Sequence, residues 1–124
     1  MTGEELREAI RALLASHPAI SVSTKGHATH AERYVASNGA PLGFEPARVR
    51  HQNLWVRADS VRTNRLNDIE SEPYDHSIFA ASKPNHNLFG EPAFKDADLI
   101  CFKVTGLWQA VRIIAEVAGL AANQ

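Results

Sequence analysis

The chain has 124 residues, 44% of them apolar and 22% charged, with a net charge of −1. This balance excludes a disordered chain and leaves room for one modest core, so one domain spanning residues 1–124 is expected. A single cysteine, Cys101, excludes an intramolecular disulfide. It sits in the apolar run "LICF", where a buried, inert thiol is the ordinary expectation.

In chain order, Thr2 and Glu5 form a T-x-x-E capping box. Leu6, Ala9, Ile10, Leu13 and Leu14 then recur at helical spacing, with Glu4/Arg7 and Glu8/Arg11 as i,i+3 pairs. Pro18 stops this helix, because the residue before a proline is pushed out of helical geometry. In "AISVST", Ile20 and Val22 alternate with Ser21 and Ser23, the pattern of a half-buried strand. Asn38-Gly39 predicts a hairpin with a type I′ turn. A short helix over 29–37 is the competing reading. Pro41, Gly43 and Pro46 predict a loop.

"HQNLWVRADSV" reads as a strand, with Leu54, Val56 and Ala58 on one face and Trp55, Arg57 and Asp59 on the other. Residues 62–73 read as a turn or edge. Strand character returns at Tyr74, Ile78 and Phe79, and residues 83–97 read as a long loop. "DLICFKVT" reads as a central strand covered on both faces. A final helix begins at Thr105 or Gly106, with a core stripe of Leu107, Val111, Ile114 and Ala118 widened by Ala110, Ile113 and Val117. Gly119 is its expected cap. The sum is an α+β domain: N- and C-terminal helices packed on a mostly antiparallel sheet of four to six strands.

Charge is unevenly spread. Residues 44–66 hold five arginines against two carboxylates, a net of +3. Residues 67–98 hold two lysines against seven carboxylates, a net of −5. In an extended chain Trp55 and Arg57 share a face, and an exposed tryptophan beside arginines suits stacking on, and phosphate contact with, single-stranded nucleic acid. The leading expectation is therefore a non-catalytic module binding nucleic acid or another phosphate-bearing ligand. Its contacts would be Arg48, Arg50, His51, Trp55, Arg57, Lys83, His86 and Asn87. The competing expectation pairs residues 53–61 with 69–79, so that Arg57, Arg62 and Arg65 meet Glu70, Glu72 and Asp75 across strands. Trp55 is then part of the core.

Two alternatives follow from other residues. The acidic 68–98 segment would suit a protein-protein adaptor or inhibitor that docks a basic partner. His27 and His30, with His51, His76 or His86, would suit a small metal-assisted hydrolase or nuclease. No second short-spaced ligand pair supports that set, so no metal is expected. "DHS" at Asp75–Ser77 holds the residue types of a catalytic triad, but adjacent residues on a strand point to opposite faces. Phosphate-loop and dinucleotide fingerprints are missing, so no cofactor is expected. Acidic residues crowd the N-terminus and no apolar run reaches the ~20 residues of a membrane span. A cytoplasmic protein without membrane contact is the expectation. The apolar circumference of the last helix leaves room for an oligomer.

Overall fold

The computed structural model describes residues 1–28, 30–46, 50–78, 88–89, 92–95 and 97–120. Helix α1 (Gly3–Ser16) opens with the anticipated capping box. Thr2 Oγ1 accepts from Glu5 N–H at 3.1 Å, and Glu5 Oε1 accepts from Thr2 N–H at 2.9 Å. These bonds satisfy two amides that a helix start leaves open. Six strands follow: β1 (Ile20–Val22), β2 (Glu32–Ala36), β3 (Pro41–Glu45), β4 (Gln52–Arg57), β5 (Ser71–Tyr74) and β6 (Leu99–Val104). Helix α2 (Leu107–Val117) closes the described chain. The strands form one antiparallel sheet in the order β1-β2-β3-β4-β6-β5.

Strand alternation sends Tyr34, Ala36, Leu42, Phe44, Leu54, Val56, Ile100, Phe102 and Val104 to one face. There they meet Leu6, Ile10 and Leu14 of α1 and Ala110, Ile113, Ile114 and Val117 of α2. The opposite face has a smaller core. Trp55, Leu99 and Cys101 project from the sheet, Ala31 joins them, and Leu88 and Phe94 close over the top. Cys101 is buried, as its apolar surroundings predict. The two-sided burial of β6 matches its unbroken apolar run.

Several local expectations change. The hairpin at Asn38-Gly39 forms, but through three residues rather than a two-residue type I′ turn. Gly39 N–H reaches Ala36 O at 2.8 Å, Ala36 N–H reaches Ala40 O at 2.8 Å, and Gly39 takes φ +91°. Residues 41–45 are strand β3, not loop. Pro41 is tolerated as the first residue of the strand, and Gly43 is there because Leu88 packs onto it: a Cβ at this position would overlap Leu88 Cδ2.

Strand β5 ends at Tyr74, and His76–Ile78 form a short 3-10 turn; Phe79 lies outside the described residues. Strand β4 pairs with β3 and β6 rather than with 69–79, because β5 takes the outer edge of β6. The buried stripe of α2 is Ala110, Ile113, Ile114 and Val117, which leaves Val111 half-buried. Asn38 at the hairpin tip donates Nδ2–H to Val117 O at 2.9 Å and so caps α2 from a distant turn. Among the described residues no helix is long and apolar enough to cross a membrane.

Candidate functional site

The sheet separates the residues expected to act together. Arg50 and His51 precede β4, while Arg57 ends it. Six strand residues span roughly 20 Å, so these groups lie at opposite ends of the sheet. Trp55 is 3% exposed. Its ring packs against Tyr74 at 4.9 Å between centroids, and its Nε1–H donates to Glu45 Oε1 at 3.3 Å. It offers no open stacking face, because Leu88 and Phe94 cover it. Arg57 donates through Nε and Nη2 to the two oxygens of Asp59, at 3.0 and 2.8 Å, and through Nη1 to Ala93 O at 3.2 Å. It holds the 92–95 segment against the sheet. Arg50 is exposed and His51 is half-buried. Arg48, Lys83, His86 and Asn87 lie outside the described residues.

The other arginines also meet carboxylates, although not the expected ones. Arg62 donates Nε–H to Glu116 Oε1 at 2.5 Å and its backbone N–H to the same oxygen at 3.1 Å. The Arg62 side-chain hydrogen bond is the main reason that Glu116 is held below the ordinary glutamate range although it is buried. Arg112 clamps both oxygens of Asp68 at 2.7 and 2.8 Å, and this clamp holds the Asp68 carboxyl low.

The acidic block is arranged differently. Glu70, immediately before β5, accepts Lys103 N–H at its backbone oxygen, 2.8 Å away. Residues 70, 72 and 74 therefore turn their backbone groups toward β6, and residues 71 and 73 turn theirs to the open edge. Pro73 has no N–H to offer there, which blunts the edge against addition of another strand. Ser71 alone of these two keeps an N–H on that edge, so side chains carry most of any contact made along β5. Glu70 and Glu72 are exposed and lie on the same face as Lys103, with oxygens 3.6 and 3.8 Å from its Nζ.

The acidic row continues past the strand. Asp98, just before β6, accepts from His76 N–H at 3.2 Å and from His76 Nδ1 at 2.8 Å. These bonds, the ring's first, hold its pKa down. Asp75 accepts from Ser77 N–H at 2.9 Å and Ser77 Oγ–H at 2.8 Å, which lowers its pKa likewise. Of the three residues of "DHS", Asp75 and Ser77 therefore bond each other while His76 turns to Asp98. Asp75, His76 and Asp98 each offer one ligand-capable atom, all within 4.8 Å of one another, and all three residues are exposed.

His27 and His30 stand apart from this group. His27 accepts Arg33 N–H at Nδ1, 3.0 Å away, with its ring 5.1 Å from that of Tyr34. His30 is exposed, and the loop that carries both enters β2 at the end of the sheet opposite His76.

Sequence patterns gave no access to the His76–Asp98 pair, because its members are 22 residues apart and only the β5-to-β6 pairing joins them. The exposed tryptophan was more accessible. It is Trp108 rather than Trp55, at 71% exposure. Position 108 falls on the side of the helical wheel opposite the stripe at 110, 113, 114 and 117.

Comparison of the chain with protein-family models, with curated proteins and with solved structures finds no match.

Proposed function

We propose that this chain is a protein-binding domain without catalytic function, which docks a basic partner through the acidic margin of its sheet. The observation that carries this reading is the contrast between the two charge blocks. Arg57, Arg62 and Arg112 are engaged by carboxylates of the same chain. Glu70, Glu72, Asp75 and Asp98 lie exposed along β5 and the turn beyond it, with Lys103 and His76 as their basic neighbours. Such a row attracts lysine- or arginine-rich segments, speeds encounter and rejects acidic ones. Pro73 on the open edge favours recognition by side chains over strand addition.

The test is fluorescence anisotropy with a short labelled peptide of alternating lysine and serine, at low and near-physiological salt. The parent protein binds, and binding weakens as salt rises because an exposed charge row is screened beyond about 10 Å at 0.1 M. Glu70→Lys with Glu72→Lys removes binding, and the doubly reversed protein takes up a glutamate-serine peptide instead. Binding of a single-stranded oligonucleotide by the parent protein, with no binding of the basic peptide, overturns the reading in favour of an arginine-based nucleic-acid surface.

A further inference from the structure

Asn38 and Gly39 shape a hairpin and also make a reactive pair. Of the chain's asparagines, Asn38 alone is followed by glycine. Glycine has no Cβ, so its amide nitrogen can come close to the carbonyl carbon of the preceding side chain. Both residues are exposed and border a cavity of about 380 Å³, so water is at hand. Attack by Gly39 N on Asn38 Cγ forms the N–C bond of a cyclic succinimide. The Cγ–Nδ2 bond breaks, and Nδ2 leaves as ammonia with the proton that Gly39 N gives up. Water then opens the ring. Cleavage of the bond between Cγ and Gly39 N gives aspartate, and cleavage of the bond between the main-chain carbonyl carbon and Gly39 N gives isoaspartate. Nothing is oxidised or reduced in either step.

The folded hairpin holds every group that this reaction must free. Gly39 N–H donates to Ala36 O at 2.8 Å, Asn38 Nδ2–H donates to Val117 O at 2.9 Å, and Asn38 Oδ1 accepts from Ala40 N–H at 3.0 Å. The reaction therefore starts from an opened hairpin, and exposed tips open locally at low free energy. Its product no longer fits. At the end of α2 the carbonyls of Ile114, Ala115 and Glu116 are met by Ala118, Leu120 and Gly119, and that of Val117 is met by Asn38. A carboxylate has no N–H for Val117 O, and it stands at the negative end of a helix with no basic residue in its last turn. Arg57, which borders the same cavity, is already bonded to both oxygens of Asp59. Isoaspartate further inserts a backbone atom into the three-residue turn. We propose that Asn38 is a site of spontaneous deamidation, gated by opening of the hairpin, and that the reaction releases the hairpin from α2 irreversibly.

Peptide mapping by mass spectrometry follows ammonia loss at Asn38 in the parent protein at mildly alkaline pH, folded in buffer and unfolded in guanidinium chloride. Asn38 reacts in both, about 10- to 100-fold more slowly in the folded protein, as the cost of breaking the hairpin's bonds requires. Anion exchange then separates the deamidated protein, which melts about 5 °C or more below the parent. Asn38→Asp, made directly, reproduces that shift without other damage from the incubation. The deamidated protein is drawn from folded material, so it remains informative should the variant fail to fold. Equal rates in the folded and unfolded protein overturn the inference. So does a folded protein whose Asn38 stays intact throughout, or a deamidated fraction that melts with the parent.

Discussion

Gly43→Ala probes the seal over the second face of the sheet. Gly43 lies in β3 without a positive φ, so alanine fits the backbone. The obstacle is space. The new methyl would meet Leu88 Cδ2 in overlap, with Trp55 Cβ at 3.4 Å and Phe94 Cζ at 3.6 Å. Leu88 and Phe94 are both fully buried and cannot swing into solvent without uncovering Trp55. Overpacking of this kind costs about 1–3 kcal/mol. Replacing glycine within a strand returns about 0.5–1 kcal/mol of chain entropy. At the middle of both ranges the net loss is about 1.3 kcal/mol. At about 2.1 cal/mol/K per residue, a chain of this length unfolds with an entropy near 0.26 kcal/mol/K, so Tm falls by about 5 °C. Urea and thermal unfolding followed by circular dichroism measure the change. Leu88→Ala alone costs about 2–5 kcal/mol through the cavity it leaves. The double variant loses less than the two changes summed, because the new methyl occupies part of that cavity. A stabilising Gly43→Ala, or strict additivity with Leu88→Ala, would refute the packing of Leu88 onto Gly43.

Other expectations follow from particular contacts. Asn38→Ala removes the bond to Val117 O and the one that Asn38 Oδ1 accepts from Ala40 N–H at 3.0 Å; it costs about 1–2 kcal/mol at roughly 1 kcal/mol per bond, read from the shift in the urea midpoint. Asp68, Asp75, Asp98 and Glu116 are all held below their ordinary pKa in the folded chain. The folded state therefore binds their protons less tightly than the unfolded state does. Their stabilisation is present above about pH 5 and is lost as pH falls through and below the ordinary carboxylate range. A Tm that holds steady from pH 6 to pH 3 would contradict those pairings.

The fold was legible wherever one period dominated. The capping box with Leu6, Ile10 and Leu14, and the unbroken run from Leu99 to Val104, each defined an element and its buried face. Legibility failed where a residue's reason lay in a distant partner. Pro41 and Gly43 signal a loop locally, yet Gly43 serves Leu88, which packs on it from 45 positions away. Alternation placed Trp55 and Arg57 on one face, which is where they lie. It carried no information on whether that face was open, and Leu88 and Phe94 close it. Opposite charges suggested neutralisation, but the partners of Arg62 and Asp68 are Glu116 and Arg112, both on α2, which a comparison of the two charge blocks leaves out. The acidic margin was visible as composition. Its placement along an edge strand, with proline turned outward, needed the register.

The central claim is that the exposed carboxylates of β5 and the turn after it make the contact surface. Anisotropy of the labelled lysine-serine peptide against the parent protein and the Glu70→Lys/Glu72→Lys protein tests it most directly. The account predicts salt-sensitive binding by the parent and an inverted charge preference in the variant. Equal binding by both proteins, or binding by neither, contradicts it.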